Sequence, residues 1–247
     1  MAVPLYLDWS FWAVIVASIA MILSQLPPIH LWFRPAKIDI ELYSRVHITH
    51  KIGNPNFQLH LIINNIGGRA VRVKNIRVKI TLDGNEIANL PAQTYLENPN
   101  DKNSILFTSF SLSPQDEWAH IINCLNYFSR IDEKKYRAAE SALMENIIEK
   151  RKLLEDENTL VEASDEFITP FTTMFDEKFI WVPGEYKIAI SIITSVDSAN
   201  IEKEYRFTLF ESDSNDLTKA KNDYKYGDGI HWDSGNHNGV IVPISEA

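Results

Sequence analysis

Two patterns divide this chain. From Trp9 to Phe33 no residue is charged, and Phe11 to Leu23 is almost wholly apolar. Beyond Lys37 apolar and polar positions alternate instead. The first pattern predicts a single transmembrane α-helix, because a helix rises about 1.5 Å per residue and a bilayer core of about 30 Å takes about 20 residues. Leu7 to Leu26 supplies that length, and Pro27-Pro28 stops the backbone ladder. Trp9 and Trp12 at one end of the run and Trp32 and Phe33 beyond the other suit the two headgroup zones as membrane anchors. No Lys or Arg precedes the run, which argues against a cleaved export signal.

The alternating stretches predict half-buried strands. Ile38, Ile40 and Leu42 form one, and Phe57, Leu59, Leu61 and Ile63 a second. The Asn64–Gly68 cluster predicts a turn. In Val71–Ile80 the apolar phase slips by one residue, which predicts a β-bulge at or near Asn75. Leu106, Thr108, Phe110 and Leu112 continue the strands. Ser113-Pro114-Gln115-Asp116-Glu117 then has the composition of a helix start. Trp118, Ile121, Ile122, Leu125 and Phe128 follow at helical spacing, and a second helix is expected from about Asp132 to Asp156. Together they predict an inserted α-helical hairpin at about 114–158. Strands resume at Phe167 and continue through Phe179–Val182, Tyr186–Ile192 and Tyr205–Leu209. A short helix from Ser214 to Tyr224, a Gly/Asn/Asp-rich loop and an edge strand at Val240–Val242 end the chain.

Three short motifs occur in order: Asn65-Ile66-Gly67-Gly68-Arg69-Ala70-Val71, Leu112-Ser113-Pro114 and Pro183-Gly184-Glu185-Tyr186-Lys187-Ile188. The pattern resembles an immunoglobulin-like β-sandwich over residues 37–112 and 167–212. The resemblance implies that Tyr186 packs at a corner of the fold and bonds to backbone. It departs from antibody domains in having a single cysteine, Cys124, and hence no internal disulfide. The expected fold is thus an N-terminal transmembrane helix followed by a mainly-β immunoglobulin-like sandwich with an inserted helical hairpin. Its parts are an anchor over 1–33, a sandwich over 37–212 and a loop-rich extension over 213–247.

Charge refines this picture. The net charge is −9, but residues 1–100 hold nine Lys/Arg against six Asp/Glu. The acidic excess lies in the remainder, which argues against nucleic acid as a partner. Arg34, Lys37, Arg45 and Lys51 follow the apolar run. By the positive-inside rule they place the N-terminus outside and the C-terminal domain in the cytoplasm of a single-pass inner- or plasma-membrane protein. The lone cysteine agrees with a reducing compartment.

Candidate chemistry is sparse. The chain lacks a Gly-rich phosphate loop, HExxH, GxSxG and paired CxxC, so no cofactor is expected. Asp228, His231, Asp233 and His237 have side chains suited to a divalent metal, though their setting is that of a structured loop. Arg69, Arg72, Lys74, Arg77 and Lys79 form a basic ridge suited to lipid phosphates or an acidic partner, or simply to a solvent-facing strand. Trp118, Phe128 and Tyr136 in the expected hairpin are aromatics of the kind found at interface centres.

These features predict a membrane-anchored, non-catalytic interaction subunit of a larger assembly. Its expected partners are the lipid bilayer and a protein, either a different chain or a second copy. One alternative turns the same architecture outward, to bind a ligand or partner outside the cytoplasm. Another is a metal-dependent enzyme using the His231/Asp233/His237 loop.

Overall fold

The computed structural model describes residues 9–25, 34–98, 101, 103–154, 159–231 and 239–247. It opens with helix α1 (Trp9–Gln25). Strands β1 (Ile38–Lys51), β2 (Asn54–Asn65), β3 (Val71–Leu82) and β4 (Asn85–Leu96) follow as two hairpins. Two short strands, β5 (Ile105–Leu106) and β6 (Phe110–Leu112), lead into β7 (Glu117–Leu125). Helices α2 (Arg130–Lys152) and α3 (Asp165–Lys178) precede the hairpin of β8 (Gly184–Thr194) and β9 (Ile201–Leu209). Helix α4 (Glu211–Thr218), a 3-10 segment (Lys219–Tyr226), β10 (Gly239–Pro243) and β11 (Ser245–Glu246) complete the order.

The strands join one sheet in the order β10-β1-β2-β7-β4-β3-β8-β9-β11. That sheet is nearly closed into a barrel, because two strands each serve two neighbours. The first half of β4 pairs with β3 as far as Pro91, and from Ala92 onward the strand pairs with β7. The C-terminal segment does the same: β10 pairs with β1 as far as Pro243, and β11 pairs with β9. Proline has no N–H for a ladder, so it is tolerated where a strand leaves one neighbour for another.

The interior follows from the alternation. Ile38, Ile40, Val46, Ile48, Phe57, Leu59, Leu61, Ile63, Val71, Val73, Ile76, Val78 and Ile80 are all buried. The apolar phase of β3 slips at the expected place, with the β8 register shifting between Val73 and Asn75. Trp181, fully buried, stacks near Phe57 and donates its Nε1–H to Thr49 O at 3.2 Å. The Tyr186 hydroxyl lies 2.6 Å from Val182 O and 3.1 Å from Ile180 O, the backbone bonding that the resemblance implied.

A second core lies under α2 and α3. Tyr136, Leu143, Ile147, Phe171, Met174, Phe175 and Tyr224 bury together with Ile52 from the β1–β2 turn. Gly53 in that turn has φ +79, and a Cβ there would stand 2.5 Å from Phe175 O. The turn therefore seats the helical layer against the barrel. Helix α2 is capped by Ser129, whose hydroxyl accepts from Asp132 N at 3.1 Å.

Several expectations need correction. Helix α1 is 17 residues long, about 25 Å at 1.5 Å per residue, short of a bilayer core of about 30 Å. No helix among the described residues is long and apolar enough to cross a membrane. The single-pass anchor, the inner- or plasma-membrane location and the cytoplasmic orientation argued from it are therefore unsupported. Trp9 and Trp12 lie exposed on α1, whereas Trp32 and Phe33 fall outside the described residues.

The immunoglobulin-like sandwich with an inserted hairpin is corrected as well. Among the described residues the strands make one nearly closed, barrel-like sheet, accompanied by four α-helices. The stretch from Trp118 to Leu125 is strand β7, not the first helix of a hairpin. Ser113 to Asp116 forms a turn, in which Asp116 N donates to Ser113 O and Ser113 N to the Asp116 carboxylate. The residues from Phe167 that resembled a strand lie in α3, with Phe171, Met174 and Phe175 on its buried face.

Candidate interaction surface

Strand β3 sits in the middle of its part of the sheet, between β4 or β6 on one side and β8 on the other. Its even-phase residues before the bulge, and its odd-phase residues after it, face outward. Arg72, Lys74 and Arg77 are exposed and Lys79 is half-buried. Arg69 is exposed in the turn that leads in. That turn is held by Asn65, whose amide donates to Arg69 O at 2.9 Å and to Leu112 O at 3.0 Å while its Oδ1 accepts from Gly67 N. The Asn-Asn-x-Gly-Gly sequence thus fixes where the ridge begins.

What lies beside the ridge decides its charge. In register, Arg77 faces Pro91 and Ser191, Lys79 faces Asn89 and Ala189, and Arg72 faces Ser111. None of these neighbours is acidic. The carboxylates one strand further out are engaged: Glu204 with Lys187 at 2.6 Å, and Glu202 with the Ser191 hydroxyl. The Arg72 guanidinium donates to a neutral group, Ser109 Oγ, at 2.6 Å from Nη2 and 3.1 Å from Nε. Among the described residues Arg69, Lys74, Arg77 and Lys79 make no ion pair within 4.0 Å. Along the sequence no Asp or Glu occurs between Glu41 and Asp83. The outer face of β3 is therefore a positive stripe on a chain of net charge −9.

The expected interface aromatics do not meet. Trp118 is on β7, stacked on Phe110 at 4.6 Å and 4.7 Å from the His120 ring. With Tyr95 and Phe107 it packs against the barrel core. Tyr136 is buried in the helical layer, donating its hydroxyl to Ile230 O at 2.6 Å, with Phe128 at 5.6 Å. These rings serve packing at two separate places.

The C-terminal His/Asp set is only partly placed. Asp228 is buried and His231 Nδ1 lies 3.5 Å from Glu140 Oε1. Asp233 and His237 fall outside the described residues. Among the described residues no three His, Cys, Asp or Glu side chains gather as metal ligands would.

Two features escaped the sequence. His50 lies between the rings of Phe175 and Phe179, at 5.1 and 5.7 Å. Its Nε2–H donates to Leu217 O at 2.9 Å and its Nδ1 accepts from Gly53 N at 3.2 Å, which fixes the neutral tautomer. Burial holds its pKa below the ordinary 6.5, against the opposing effect of the Leu217 carbonyl. The second is the bridging role of the C-terminal strand, whose only sequence trace is the alternation of Val240, Val242 and Ile244.

No protein-family model matches the chain, and no curated protein does. Among solved structures, a crystal structure of a protein from Archaeoglobus fulgidus aligns over 70% of this chain and 97% of that one, at 8% identity and a TM-score of 0.29, a likeness too slight to carry any argument.

Proposed function

We propose that this chain is a non-catalytic interaction subunit that docks an acidic segment of a protein partner on the outer face of β3. What supports it is the row Arg69, Arg72, Lys74, Arg77 and Lys79, flanked in register by Ser, Asn, Ala and Pro and by no acid. Cations left uncompensated on a flat strand face attract a complementary partner and steer its approach. The stripe is one strand wide on an acidic chain. That suits a single extended acidic polypeptide better than a nucleic-acid duplex, whose wide array of phosphates the remaining carboxylates repel.

Fluorescein-labelled poly-L-glutamate tests it by anisotropy against the full chain. The wild type is expected to bind, with affinity falling as salt rises. Reversal of the stripe in R72E/K74E/R77E/K79E is expected to weaken binding by about tenfold or more, on the order of 1.4 kcal/mol. The remote reversal K150E/R151E on α2 is expected to leave it unchanged. Equal loss in both variants would overturn the proposal.

A further inference from the structure

Residues 239–247 are the one stretch that holds both edges of the sheet. Along β1 the register runs from Thr49↔Gly239 to Arg45↔Pro243. After Pro243 the segment crosses over, and Ser245 and Glu246 pair with Arg206 and Tyr205 of β9. Backbone bonds mark the crossing, with Ile244 N donating to Ser44 O at 2.9 Å and Ala247 N to Glu204 O at 3.1 Å. The two edges touch directly near Lys203, whose Nζ donates to Ile40 O at 2.6 Å and pairs with Asp39 at 2.7 Å. Take the segment away and β1 and β9 become facing edges of an open slot.

The slot reads the segment's side chains as well as its backbone. Val242 is buried opposite Val46, and Val240 and Ile244 pack partly on the core, while Ile241 between them is 65% exposed. A Cβ on residue 239 would stand 2.1 Å from the His47 ring, so that position accepts only glycine unless His47 moves. A cavity of about 350 Å³ opens at the crossing, among Ile40, Leu42, Tyr43, Tyr205 and Ile244. The buried Tyr205 hydroxyl has no hydrogen-bond partner among the described residues. Backbone pairing to two edges, alternate side-chain pockets and one deeply buried residue are the features of strand addition by a peptide. A segment with so few buried side chains belongs to the parts of a fold that open locally.

We propose that the edges of β1 and β9 form a binding slot for an extended peptide, filled here by the chain's own C-terminal strand. A partner segment with a leading glycine and apolar residues at the alternate positions of Val240, Val242 and Ile244 displaces that strand. The slot is distinct from the basic face of β3 and does not depend on it.

The probe is a fluorescein-labelled synthetic peptide of residues 239–247, added to the full chain. Saturable binding is expected, and the same peptide with Val242→Asp is expected to bind at least tenfold more weakly. A reversible lock supplies the control. His47 and Ile241 are directly opposed, within the span a disulfide bridges. Oxidation of the H47C/I241C chain is expected to abolish peptide binding, and reduction to restore it. Should that variant fail to fold, hydrogen exchange on the wild type replaces it. Added peptide then accelerates exchange in residues 239–247 themselves, because they are displaced. No saturable binding to the wild type, binding that survives the lock, or exchange of 239–247 unchanged by peptide would each overturn the proposal.

Discussion

Single side chains settle the joint between barrel and helices. Gly53 combines a φ of +79 with a Cβ direction blocked by the backbone of Phe175. Neither obstacle can be relieved by rotating a side chain. Gly53→Ala is expected to cost about 2–4 kcal/mol, read as a fall in the urea midpoint. Next to it, His50 is folded in its neutral form, with a pKa held below the ordinary 6.5 chiefly by burial. A depressed folded pKa gives stability that is fully present above the unfolded value and is lost as pH falls through the folded one. The melting temperature of the wild type should therefore decline as pH falls below about 6.5, ahead of the range where carboxylates titrate. His50→Gln should flatten that limb, and an unchanged pH profile would contradict the account. On β8, burial pushes Tyr186 up to about 12, so at neutral pH its hydroxyl is protonated and donates to backbone. Tyr186→Phe is expected to lose about 1–3 kcal/mol in the same urea assay, because the carbonyls of Ile180 and Val182 lose a buried donor. Of these positions, only Tyr186 was marked in advance, by its place after Pro183-Gly184-Glu185. His50 and Gly53 owe their roles to Phe175, which lies on another element, and no local pattern announces such a contact.

Elements were legible where one face is wet and one dry. Strand β2 alternates cleanly and β1, β3 and β8 alternate over part of their length, and each is where the alternation put it. Strand β7 was misread for a physical reason. Its inward row is Trp118, His120, Ile122 and Cys124, yet Ala119 and Ile121 on its other face are half-buried too. A strand apolar on both sides loses its period of two and can imitate a helix. The helix-start composition of Ser113 to Glu117 then completed the imitation, since Ser, Pro and Asp favour tight turns as much as caps. Helix α2 was anticipated because Tyr136, Leu143 and Ile147 keep a helical spacing and are the residues it buries. Leu143→Ala should remove about 2–5 kcal/mol from the helical layer by leaving a cavity under α2 and α3. Hydrogen exchange checks this, with protection lost first in α2 and α3 while β1, β2 and β3 remain protected. Uniform loss across the sheet would show instead that the two cores unfold as one.

At the level of the whole chain, the main lesson concerns closure and charge. Strand pairings of neighbours such as β1–β2 and β8–β9 follow from short turns. Nothing local indicates that β4 and the C-terminal segment each change partner at a proline, and that is what turns two expected sheets into one nearly closed barrel. The apolar run at the start was visible, but no helix among the described residues is long and apolar enough to cross a membrane, and length is what membrane crossing requires. The basic ridge was visible as residue types. Its lack of facing carboxylates was not, because that depends on which strands become neighbours. Of the four residues proposed for a metal, Asp228 and His231 are placed, and Asp233 and His237 lie outside the described residues. The central claim is that the stripe on β3 is where an acidic partner docks. Backbone-amide mapping of the full chain, with poly-L-glutamate added at low salt, tests it most directly. The account predicts perturbation centred on Arg72 to Lys79, with weaker changes in β8 and in the paired part of β4. Perturbation centred on α2 and α3, or none anywhere, would contradict it.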